Sequence, residues 1–115
     1  MPPTISPIPP ATALSLSTLV SPTEGGVASR LLAKTDGGNV TLFAFDAGQG
    51  LEEHTSPFDA LVLVQEGALT LTIGGAPVSA LPGVVVLMPG GVPHALDASQ
   101  PTRMLLVMLR DRTKA

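Results

Sequence analysis

GQGLEEHTSPFDALVLVQEG, residues 48–67, and GVVVLMPGGVPHALDA, residues 83–98, are the two stretches on which the reading of this chain turns. Each joins a strand-length apolar run, Leu61–Val64 in the first and Val84–Met88 in the second, to a histidine by way of proline or glycine. The chain holds two histidines, and one falls in each stretch: His54 and His94. A strand sends residues i, i+2 and i+4 to one face. An unbroken strand through His54 therefore aligns Glu52, His54, Ser56 and Phe58, and a later one aligns His94 with Leu96. Gly90-Gly91 followed by Val92-Pro93 reads as a turn that places His94 at a strand start.

The same punctuation extends in both directions. Short apolar runs rich in Val, Leu, Thr or Phe recur at Leu14–Val20, Val27–Ala33, Val40–Phe45, Leu61–Val64, Ala68–Ile73, Val84–Met88 and Met104–Leu109. Gly, Pro, Asn and Asp bound them, which is strand length with strand composition. Asp36-Gly37-Gly38-Asn39 and Gly74-Gly75 predict hairpin turns. With 12 Gly and 12 Pro in 115 residues, helix has little foothold. Many short strands with regular turns predict an all-β sandwich or barrel. In Val40–Phe45 and Leu61–Val64 both parities are apolar, so both faces of those strands are expected to be covered. A barrel interior covers one face. For a chain this short a partner subunit covers the other, which predicts a homodimer. Residues 1–13, rich in Pro, Ser, Thr and Ala, are expected to be a weakly ordered lead-in, with residues 14–115 forming a single domain.

Composition narrows the function classes. Three phenylalanines and no Trp or Tyr leave no stacking platform for single strands, and a net charge of -3 disfavours polyanions, so no nucleic-acid partner is expected. The absence of Cys removes disulfides, thiol catalysis and Cys-based zinc sites. The proline-rich start lacks a basic leader, and no window reaches the ~18 uninterrupted apolar residues of a membrane span. The expectation is a cytoplasmic protein with no membrane partner.

The two quoted stretches together resemble the paired motifs of the cupin superfamily, G-x5-H-x-H-x3,4-E-x6-G and G-x5-P-x-G-x2-H-x3-N. Gly48, His54 and Gly67 match the first; Gly83, Pro89, Gly91 and His94 match the second. The intervening Ala68–Pro82 is as short as in single-domain microbial cupins, and the likeness runs from about Asn39 to Arg110. The resemblance implies a double-stranded β-helix, the RmlC-like jelly-roll barrel, usually dimeric. It also implies a metal site of three histidines and one glutamate, and here the chain departs. Ser56 stands in the second histidine slot, Ala60 in the glutamate slot and Ala98 in the terminal asparagine slot.

His54 and His94 are thus the remaining metal candidates, with Glu52 as a third by strand parity, a set of two histidines and one carboxylate. Glu52 at a solvated barrel mouth is the alternative. Glu53 and Asp59 would need a bulge to face inward. Ser56, Phe58, Ala60, Met88, Leu96 and Ala98 are the expected pocket residues; Phe45, Val62, Val86, Met104 and Met108 are further candidate lining or ordinary core. The cofactor reading is a divalent metal, Zn, Fe, Mn or Ni, or none. In the second case the histidines bond to each other, to Ser56 or to water, or hold a ligand's carboxylate or hydroxyl. Three functional readings stay open at this point. One is a divalent-metal-dependent small-molecule enzyme of the dioxygenase or isomerase type. Another is a non-catalytic small-molecule binding or sensing module with a degenerate metal site. The third is a purely structural dimer.

Overall fold

The computed structural model describes residues 7–110. Nine strands and one helical turn lie among them. In chain order these are α1 (Leu16–Leu19), β1 (Val27–Thr35), β2 (Gly38–Phe45), β3 (Gly50–His54), β4 (Asp59–Glu66), β5 (Leu69–Ile73), β6 (Ala76–Ala80), β7 (Val85–Met88), β8 (His94–Ala98) and β9 (Thr102–Leu109). They form a five-stranded sheet, β1-β2-β9-β4-β7, and a four-stranded sheet, β3-β8-β5-β6. Every pairing is antiparallel. The fold is the expected jelly-roll barrel. No described helix is long and apolar enough to cross a membrane.

Alternation along the strands explains why the sheets face each other. Ala60, Val62 and Val64 on β4, Met104 on β9 and Phe45 on β2 are buried and pack against Leu69, Leu71, Leu96 and Ala98 of the other sheet. The opposite parity of the large sheet points outward. There Leu61 pairs with Leu87 and Val107, and Leu63 with Val85 and Leu105. Val85 and Leu87 remain 56% and 54% exposed on the edge strand, so the apolar character of both parities is not used up inside one chain.

The start of the chain departs from expectation. Leu14–Val20 is not a strand: it contains the single turn α1, which buries none of its residues. The run has apolar residues but no neighbour to pair with. Its carbonyls instead meet arginines, Leu19 accepting from Arg30 at 3.4 Å and Val20 from Arg103 at 3.0 Å. Of the expected lead-in, residues 1–6 lie outside the described residues. In 7–13, the Ile8 amide donates to Leu32 O at 3.0 Å. β6 contains Pro77, which a sheet tolerates at an edge, and β6 is the edge strand of its sheet.

What positions the site is the pairing of β3 with β8. Asp46 anchors the loop entering β3, its carboxylate accepting from Gly25 N at 2.7 Å and Ala47 N at 2.9 Å. The Gly25 amide, and then that of Ala47, hold this carboxyl below its ordinary range. Gly48 N donates to Ala98 O and Ala98 N to Gln49 O, both at 2.8 Å, which starts the β3–β8 ladder.

Candidate functional site

The register from β3 to β8 runs Gly50 opposite Asp97, Leu51 opposite Leu96, then shifts before His54 opposite His94. Two residues, Glu52 and Glu53, face one, Ala95, so the strand carries a β-bulge. The bulge resets parity. Leu51 and His54, three apart, both line the interior, while Glu52 and Glu53 are exposed. The expected alignment of Glu52 with His54 is thereby corrected: the carboxylate does not join the histidines. Among the described residues no group of three His, Cys, Asp or Glu side chains is placed to hold a metal ion.

The histidines themselves meet. Their Nε2 atoms are 3.1 Å apart, and the rings stand edge to face at 70° with centroids 4.4 Å apart. His94 is 5% exposed, and His54 is exposed at the barrel mouth. Each ring is held by the backbone carbonyl two residues before it: Nδ1 of His54 donates to Glu52 O at 2.9 Å, in β3, and Nδ1 of His94 donates to Val92 O at 3.1 Å, in the turn before β8. A carbonyl oxygen only accepts, so both Nδ1 atoms carry the proton. The two Nε2 atoms face each other at hydrogen-bond distance, where a shared proton or a metal ion can lie between them, and carbonyl-anchored Nδ1–H is the usual support of a metal-binding imidazole.

Behind the pair lies a cavity of about 20 Å³ lined by Leu51, His54, Met88, His94, Leu96, Met104 and Leu106. That is room for about one water molecule. Of the expected pocket residues, Met88 and Leu96 line it, as does Met104. Leu51 and Leu106 were not among the candidates; an apolar residue just after Gly50 was the available sign for the former. Ser56, Phe58, Ala60 and Ala98 do not line the cavity. Ser56 Oγ accepts from Phe58 N at 3.2 Å and makes no bond to either histidine, and Ser56 O accepts from Gly91 N at 2.8 Å. Phe58 lies under the Arg110 guanidinium, 5.2 Å from its centroid. Ala60 and Ala98 are core residues, 6% and 2% exposed. Asp59 accepts from Gly90 N at 2.8 Å, fixing the loop before His94. A larger depression, about 260 Å³, lies at the β1–β2 hairpin between Lys34, Asn39, Val107 and Leu109, and includes neither histidine.

Residues 41–108 match the family model described as the cupin domain. A solved conserved protein of unknown function from Streptococcus pyogenes is 33% identical, with a TM-score of 0.86 over 95% of this chain and 96% of that one. A cupin superfamily protein from Desulfitobacterium hafniense DCB-2 is 27% identical, with a TM-score of 0.84 over 92% and 97%. Salicylate 1,2-dioxygenase from Pseudoaminobacter salicylatoxidans shares the fold at 17% identity and a TM-score of 0.68, over 72% of this chain and 25% of that one. A search of curated proteins finds no match.

Proposed function

The chain belongs to the cupin family, and from that premise we propose that it is a small-molecule-binding cupin whose recognition centre is a metal ion held by His54 and His94. The observation that carries this reading is the approach of the two Nε2 atoms to 3.1 Å, each ring held by a carbonyl on Nδ1. Adjacent nitrogen ligands about 2.0–2.1 Å from one ion sit roughly 3 Å apart, so the pair fits as it stands. When bound, the ion would supply an electrophilic point at the barrel mouth for a donor atom of the ligand. The chain's own contribution is orientation: Glu52 O and Val92 O keep the protons on Nδ1, and the apolar wall behind the rings limits water.

Binding rather than catalysis is the reading the site supports. An iron oxygenase site uses two histidines and a carboxylate, and the bulge turns Glu52 away. Small-molecule sites that enclose their ligand are roughly 300–1,000 Å³, against about 20 Å³ here. The ligand therefore sits at the open mouth beside His54. Equilibrium dialysis of the full chain against zinc(II) is expected to retain one ion per chain, lost in both His54→Ala and His94→Ala. Retention no greater than that of the double variant would sink this reading.

The protein works as a homodimer through the outer face of the large sheet. Its central rows, Leu61, Leu63, Val85, Leu87, Leu105 and Val107, carry no charge, whereas the whole chain is at -3. Two copies meet there without like-charge repulsion, covering a continuous apolar patch of the kind monomers seldom leave exposed. Light scattering is expected to give twice the chain mass, falling to one chain mass for Leu87→Glu. A wild-type monomer at micromolar concentration would count against it.

A further inference from the structure

We propose that the ion selected by this site is copper(I), with the thioether sulfurs of Met88 and Met104 as ligands beside His54 and His94. The inference rests on reading the histidine pair as a metal site, and it names the metal that site prefers.

The donor inventory comes first. The cavity under the histidines offers two imidazoles and two thioethers, with every other lining side chain aliphatic. No side-chain oxygen lines it. Soft sulfur donors favour copper(I), whereas carboxylate, carbonyl and water oxygens suit magnesium, calcium and manganese. The chain has replaced the carboxylate of the pattern it resembles with Ala60, and Ala60 is paired directly across the sheet with Met88. A thioether stands beside the place the resemblance gives to an anionic ligand.

Charge points the same way. None of the four donors brings a negative charge, Asp59 is engaged by Gly90 N, and Glu52 and Glu53 lie outside on the bulge. A divalent ion here would keep its full charge against an apolar wall. The cost of burying an ion scales with the square of its charge, so a monovalent ion carries about a quarter of that penalty. Met88 and Met104 are buried, 3% and 0% exposed, so bulk solvent does not reach their sulfurs. Three rotatable bonds let each sulfur swing toward an ion without backbone movement.

The test uses the full chain under reducing, oxygen-free conditions, with copper(I) in competition against a chromogenic copper(I) chelator and zinc(II) titrated separately. Wild type is expected to bind one copper(I) per chain. Met88→Leu with Met104→Leu is expected to weaken copper(I) about tenfold or more while changing zinc(II) affinity less than about twofold. An unchanged copper(I) affinity in a folded double variant overturns the inference and leaves the histidine reading intact. Unchanged binding of both metals in His94→Ala overturns the histidine reading itself. If the leucine variant does not fold, X-ray absorption at the copper edge of the wild-type complex decides. Sulfur in the first shell supports the proposal, and a shell of nitrogen and oxygen alone refutes it.

Discussion

Phe45→Ala is expected to lower the unfolding free energy by about 3–5 kcal/mol, the range for removing a fully buried aromatic ring from a packed core. Phe45 is completely buried on the inner face of β2, where it packs in the cluster that both sheets share. Its ring stacks on that of Phe43 with centroids 6.0 Å apart. Truncation removes the ring's apolar burial and leaves a void that the antiparallel pairing of β2 with β1 and β9 prevents from closing. Against a domain stability of roughly 5–15 kcal/mol, this single change takes a large share. At this chain length it corresponds to a fall in Tm of roughly 12–20 °C. The chain has no Trp or Tyr, so the measurement is urea unfolding followed by far-UV circular dichroism. Phe43→Ala, at a half-buried position, is expected to cost clearly less. A loss under about 1 kcal/mol for Phe45→Ala would mean the core is far more plastic than close packing allows.

The strands most legible in the sequence are those with a dense apolar run. β2, β4, β7 and β9 follow the runs 40–45, 61–64, 84–88 and 104–109 to within a few residues, because core and outer face both take apolar side chains there, while β5 follows 68–73 by alternating buried Leu with Thr. β6 was not anticipated: it is short and carries Pro77, a residue that argues against a strand until its place at a sheet edge is known. Leu14–Val20 errs in the opposite direction, since strand-like composition without a pairing partner leaves only one helical turn. The motif glycines are legible for a backbone reason. Gly48, Gly67, Gly83 and Gly91 all take left-handed φ between +80° and +88°, which other residues adopt only under strain. The histidines were legible by that spacing, and they meet. The bulge at Glu52–Glu53 was not, because a two-for-one register shift depends on the partner strand and leaves no mark in either segment alone. One extra residue there moved the carboxylate from the site to solvent, changing the chemistry while leaving the fold as expected.

Gly50→Ala carries the second large effect, because it separates the histidines without touching either. A Cβ at Gly50 would lie 2.0 Å from Leu96 O, 3.0 Å from Leu96 C and 3.1 Å from Asp97 Cα. All three are backbone atoms of β8, so no side chain can turn aside to make room. Relief requires β3 to move off β8, opening the ladder in which Leu51 faces Leu96 and His54 faces His94. The stability cost is expected at about 1–3 kcal/mol, the scale of core overpacking. Metal affinity is expected to fall about 10–100-fold, as when the supports of a metal ligand are removed. Gly83→Ala separates the two effects. It is strained by its φ of +87° but meets nothing within 4 Å, so it is expected to lose about 1–2 kcal/mol of stability with metal affinity unchanged. Zinc(II) and copper(I) titrations of the two variants, each shown to be folded, provide the comparison. Equal metal affinity in both would mean that the approach of His54 to His94 is not set by the β3–β8 ladder, and that the bulge orients the rings on its own.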